Sequence, residues 1–165
     1  MKKTFALIAA GLSMAGGSAL AQATPAPTPA PAPPYSAHIV TLAEAKAVAA
    51  AAEAEMRKNG WTMVITIVEP NGQPVFFEKT DGTQYGSVEV ARKKAETSAN
   101  FRRPSSYFQE AVKSGTLNSI FTGATAVEGG ELLLVDGKII GAIGVSGGSG
   151  AQDGQVARAG AAALK

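Results

Sequence analysis

His38 is the one histidine in this chain of 165 residues, and cysteine is absent. Those two counts remove most nucleophilic and metal chemistry. A serine nucleophile needs a base beside it, and His38 stands at the edge of a proline-rich stretch. A metal site built on several histidines is excluded, as are disulfides, thiolate ligands and thiol nucleophiles. Two carboxylate pairs remain. Glu128-Gly129-Gly130-Glu131 could hold a hard cation, although the same four residues also read as a turn leading into a strand. Glu78 and Asp81 form a similar pair at the end of a hairpin. The run Gly141-Ala142-Ile143-Gly144-Val145-Ser146-Gly147-Gly148-Ser149-Gly150 reads as a buried strand breaking into a glycine-rich turn before a helix. Ser146, Gly147 and Gly148 there could grip a ligand or a neighbouring chain with backbone amides, since no Cβ blocks the approach. The run lacks the Lys-Ser/Thr ending of a nucleotide-binding loop, so phosphate is weakly supported.

The elements that must position these residues follow from periodicity and caps. Thr41-Leu42-Ala43-Glu44 has capping-box spacing and predicts an alanine-rich helix to about Lys58, stopped by Asn59-Gly60. Its apolar stripe is Leu42, Ala45, Ala49, Ala52 and Met56. The β-branched run 63–68, the turn Glu69-Pro70-Asn71-Gly72 and the run 74–79 predict a hairpin. Ser87 is expected to cap a helix to about Phe101, with Val88, Ala91, Ala95, Ser98 and Ala99 inward and Arg92, Lys93 and Glu96 solvated. Arg102-Arg103-Pro104 interrupts it, and a shorter helix runs from Ser105 or Ser106 through Val112. Residues 116–130 predict a long polar loop, a length more often functional than accidental. A second hairpin turns at Asp136-Gly137, and a last helix begins at Ala151 or Asp153. The order gives an α+β domain: an antiparallel sheet of two hairpins flanked by helices.

The N-terminus predicts export, to a periplasm or out of the cell. Lys2 and Lys3, an apolar segment over 5–15 and Ser18-Ala19-Leu20-Ala21 form the three parts of a signal peptide, cleaved near Ala21. The segment is too short for a permanent membrane anchor, and no later stretch qualifies as an integral membrane segment. The division is therefore 1–21 signal peptide, 22–36 proline- and alanine-rich linker and 37–165 folded domain. Six of the nine prolines lie in the linker, which favours an extended spacer. Without Lys2 and Lys3 the chain carries thirteen cations and thirteen carboxylates, so its net charge of +2 belongs to the signal. A neutral protein of this kind has no footprint for nucleic acid.

Asp81-Gly82, Ser87, Ala91-Arg92-Lys93-Lys94-Ala95, Phe101, Gly129-Gly130, the run 141–148, Gln152-Asp153 and Val156-Ala157-Arg158-Ala159-Gly160 together resemble the GlcG/HbpS-type haem-binding family. That family is also called haem-degrading and is similar to the C-terminal domain of PduO-type proteins. The match spans 41–164. It implies a profilin-like α/β/α sandwich, homo-oligomers and, in some members, bound haem. This chain departs from the pattern at Val127-Glu128 and Glu131-Leu132, where members often have proline around the Gly-Gly pair. It departs again at Gly154, where an acidic residue commonly follows Gln-Asp.

Haem requires an apolar slot, cations for its propionates and usually an iron ligand. The resemblance therefore makes His38, Tyr85, Tyr35 and Met63 candidate iron ligands, His38 being chemically the best. Arg102 and Arg103 could meet propionates or another carboxylate, or could simply favour the helix C-terminus. Phe101, Tyr107 and Phe108 could line the slot or pack a core. Gly129, Gly130, Ser146, Gly147 and Gly148 complete the expected site. Two functions follow: an exported module that binds haem or another small molecule without catalytic machinery of its own, or an enzyme acting on haem by oxidative degradation or on a small organic acid. The missing general base and metal cluster favour binding.

Overall fold

The computed structural model describes residues 30–117 and 123–164. The expected signal peptide, the linker as far as residue 29 and residues 118–122 of the long loop lie outside the described residues. Helix α1 (Leu42–Lys58) is followed by strands β1 (Val64–Val68) and β2 (Pro74–Lys79), then helices α2 (Gly86–Phe101) and α3 (Ser105–Lys113). Strands β3 (Gly130–Val135) and β4 (Lys138–Ser146) lead into helix α4 (Gly150–Ala161). The four strands form one antiparallel sheet in the order β2-β1-β4-β3. The expected α+β architecture, two hairpins joined through their inner strands, is what the chain adopts.

Sequence pattern follows position in the sheet. Central β1 is a continuous apolar run, Val-Ile-Thr-Ile-Val, and is buried along its whole length. Edge strand β2 is only partly covered. A strand buried on both faces cannot alternate polar and apolar residues, whereas an edge strand can. Ile65, Ile67, Ile143 and Val145 pack with Ala45, Val48, Ala49, Ala52, Met56, Val156 and Ala157 of α1 and α4. On the other face Val68 and Ala142 pack against Ala95 and Ala99 of α2. The sheet is thus a middle layer between two helical layers.

That second layer sits close because both surfaces are trimmed to small residues. A Cβ on Gly144 would collide with the Ala91 carbonyl and come within 2.6 Å of the Ala95 amide. Any side chain there would push α2 off the sheet, a cost of the overpacking kind.

The helix ends refine the sequence-based boundaries. Thr41 and Glu44 form the expected capping box. Leu42, expected on the buried stripe, is half-exposed, and Val48 takes its place inside. The first turn of a helix projects beyond the sheet it covers, so its periodicity need not mean burial. Ser87 is no cap: α2 starts one residue earlier, and Ser87 is buried in its first turn, its hydroxyl accepting from the Gln84 amide. α4 starts at Gly150, slightly before the expected residue, because Ser149 and Gln152 form a second capping box. Upstream of α1, Pro34 and Ser36 bond to both sides of Ile139 on β4, and the Val40 amide donates to the Ile140 carbonyl. The end of the proline-rich stretch is therefore stitched to the sheet. No helix among the described residues is long and apolar enough to cross a membrane.

Candidate functional site

The predicted site residues fall in separate places. The glycine pairs surround a buried ion pair that composition alone does not reveal. Lys94 projects from α2 and is fully buried, as is Asp153 from the first turn of α4. The Lys94 ammonium donates to Asp153 Oδ2 at 2.6 Å and to the Val145 carbonyl at 3.1 Å. Asp153 Oδ1 accepts the Gly148 amide at 2.9 Å. Burial pushes the Asp153 carboxyl up, and the Lys94 ammonium with the Gly147 and Gly148 amides opposes that. The amides of the glycine-rich turn are thus spent on a carboxylate of the same chain.

Gly129 and Gly130 serve the same pair as spacers. A Cβ on Gly129 would stand 2.8 Å from both the Lys94 ammonium nitrogen and Asp153 Cβ, and one on Gly130 would strike the Lys94 carbonyl. The Gly130 amide donates to the Ser105 hydroxyl at 2.8 Å, and that hydroxyl donates to the Val127 carbonyl at 2.7 Å. These contacts fix the loop entering β3 against α2 and α3.

Glu128 and Glu131, read above as a possible cation pair, converge on Arg158 instead. Its guanidinium donates to Glu128 at 2.7 Å and to Glu131 at 3.4 Å. Glu128 also occupies the room left by Gly154, where a Cβ would lie 2.6 Å from Glu128 Cγ. No group of three or more histidine, aspartate or glutamate side chains among the described residues is arranged for a metal ion.

The C-terminal end of α2 carries a different kind of site. Arg102 closes the helix in the left-handed conformation (φ 55°), its amide donating to the Ser98 carbonyl. Its guanidinium lies 5.7 Å from the centre of the Tyr35 ring, and that of Arg103 lies 4.6 Å from the Tyr107 ring. Phe108 meets both Phe101 and Tyr107 edge-on at 5.2 and 5.3 Å. Phe108 is buried, while Tyr35, Phe101 and Tyr107 are each about two-fifths exposed. The Tyr35 hydroxyl donates to the Ala99 carbonyl at 2.8 Å. The result is a surface of aromatic faces with two cations stacked on it.

His38 stands three residues beyond Tyr35, within about 11 Å along the chain. Its Nε2 is paired with Glu44 at 2.9 Å, and the side chain is about half exposed. Tyr85 is elsewhere, near the opposite end of α2 and about 25 Å from Arg102 at the helical rise per residue. It is nearly fully exposed, with the Lys79 ammonium 5.8 Å from its ring centre. Met63 is wholly inside the core, which makes it a packing residue. Ser146 is buried at the end of β4, opposite Val64. Tyr35, Arg102, Arg103 and Tyr107 therefore lie around the C-terminal end of α2, the glycines surround Lys94 and Asp153, Tyr85 stands apart, and His38 is tied to Glu44 at the start of α1.

Sequence reasoning missed Lys94, whose signal was faint but present. It falls three residues after Ala91 and four before Ser98, on the inward stripe, although it follows directly on the outward Arg92 and Lys93.

Comparison with known proteins agrees with this architecture. The family model described as haem degrading protein HbpS-like matches residues 40–162. GlcG of Escherichia coli is 38% identical over 95 residues, 56% of this chain and 69% of that protein. The crystal structure of a double mutant of HbpS from Streptomyces reticuli superposes with a TM-score of 0.71 at 30% identity, covering 87% of this chain and 98% of that one. A PduOC–haem complex has a TM-score of 0.71 at 24% identity, over 77% of this chain and 96% of that one, and shares the fold. The chain belongs to the HbpS-like family, whose model describes a haem-degrading protein.

Proposed function

We propose that the chain is an exported haem-binding protein acting in a periplasm after cleavage near Ala21, and that it self-associates. The observation that carries the binding reading is the arginine and aromatic surface at the α2–α3 junction. It offers two of haem's three requirements, an apolar bed at Phe101 and Tyr107 and cations for propionates at Arg102 and Arg103. For the third, Tyr35 lies beside Arg102 and His38 follows it three residues later. His38 would ligate through its second ring nitrogen or after giving up Glu44, and Tyr35 after giving up the Ala99 carbonyl. Bound haem would supply the redox-active iron, while these residues hold and orient its edge. The PduOC–haem complex, which shares the fold, supports this reading. Export rests on the charged, apolar and small-residue sequence of 1–21.

The purified protein titrated with hemin is expected to give a saturable, stoichiometric Soret shift, weakened in His38→Ala if His38 is the ligand. Absence of any saturable change refutes haem binding. The description of the family as haem-degrading favours a second reading, oxidative turnover. In that case the Soret band disappears with reductant and oxygen faster than in unfolded protein.

A further inference from the structure

A cleft remote from the arginine surface opens where α1 ends beside the start of β1 and the end of β2. It encloses about 400 Å³, within the size range of small-molecule sites. Its apolar side is Met56 and Trp61, and its polar rim holds Arg57, Glu78, Lys79 and Asp81. The wall is pinned in place: the Met63 amide donates to the Thr80 hydroxyl at 2.8 Å, and the Thr80 amide returns to the Met63 carbonyl at 3.1 Å.

The charges in this cleft are unevenly satisfied. Arg57 is committed to Glu53, its Nε donating at 2.8 Å. Lys79 lies over the Tyr85 ring. Glu78 has neither an ion pair nor a side-chain hydrogen bond among the described residues. Partial burial pushes its carboxyl up, and the neighbouring Glu53 charge adds to that against the pull of Arg57. A partly desolvated carboxylate and a second one on the rim, Asp81, thus border an apolar hollow while Arg57 and Lys79 are both engaged elsewhere.

We propose that this cleft binds a small organic ammonium ion, its charged head at Glu78 and Asp81 and its apolar body against Trp61 and Met56. An ammonium supplies the hydrogen bonds and the positive charge that Glu78 lacks, and an indole face attracts cations directly. A carboxylate ligand would instead meet Glu78 and Asp81 with Arg57 already engaged. This site is independent of the haem reading.

Trp61 is the single tryptophan of the chain, so its fluorescence reports the cleft without labelling. Titration of the purified protein with benzylamine and with putrescine is expected to give a saturable change for at least one amine, and benzoate none. Glu78→Gln is expected to weaken that binding roughly tenfold or more, with its urea-unfolding midpoint not lowered and its hemin titration unchanged. No saturable change with either amine overturns the proposal. Equal binding of benzoate, or undiminished amine affinity in a folded Glu78→Gln protein, overturns it as well.

Discussion

The two ends of α2's cationic equipment use charge in opposite ways. Lys94 is sealed beneath the glycine-rich turn and meets one carboxylate and one carbonyl. Arg102 and Arg103, more than two turns further on and just past the helix end, lie over aromatic rings at a partly exposed surface. In the first region every charge has a partner from the same chain, so its chemistry is spent on holding α2, β4 and α4 together. In the second the cations sit on ring faces at a partly exposed surface. Proximity to a glycine-rich motif in a sequence therefore says little about the surroundings of a charge; burial decides them.

Removing one half of the buried pair gives the largest expected effect. Asp153→Ala strands Lys94 among apolar atoms and should cost about 3–5 kcal/mol, read from urea unfolding. A loss below about 1 kcal/mol would mean that Lys94 reaches solvent readily and that the contrast is false.

The pair also shows where sequence reading stops. Local signals were legible: the Thr41–Glu44 box, both hairpin turns and the glycine-rich end of β4 all appear where spacing placed them. These depend on neighbours within a few residues. Lys94 and Asp153 are 59 residues apart, and nothing short of the folded sheet says that they meet. Glu128 filling the space at Gly154 is equally non-local, as is Tyr35 folding back to α2. The candidate site was legible in its residue types at Arg102, Arg103 and Phe101. Its grouping was not, because a helix 16 residues long separates Tyr85 from them.

The exposed region should show the reverse balance. Arg102→Ala combined with Arg103→Ala should change stability by no more than about 1–2 kcal/mol, since each exposed cation–π contact contributes about 0.5–1 kcal/mol. The same double variant should weaken hemin affinity roughly tenfold or more in a Soret titration. A stable protein with unchanged hemin affinity would remove the surface from the haem reading. A collapse in stability would make these arginines structural, like Lys94.

Glu131 lies between the two extremes, partly buried and shared with Glu128 on Arg158. Burial pushes its carboxyl above the ordinary value of 4.5, against the attraction of Arg158. Ionising it therefore costs the folded state more than the unfolded chain. That cost is absent below 4.5, grows as pH rises through the elevated folded value, and is complete above it. Glu131→Gln mimics the protonated form, so its stability relative to the parent should improve between pH 4 and pH 7. A thermal-melting series across that range checks the sign; a flat or falling difference would show that Arg158 outweighs burial.

The stitching of Pro34, Ser36 and Val40 to Ile139 and Ile140 has a mechanical consequence. Any pull transmitted through the proline-rich chain meets these backbone bonds before it reaches α1. They attach the strain to β4, one of the two central strands of the sheet, rather than to the first helix. The spacer can thus be tugged without unwinding the cap at Thr41, and the junction behaves as a strain relief built from three backbone segments.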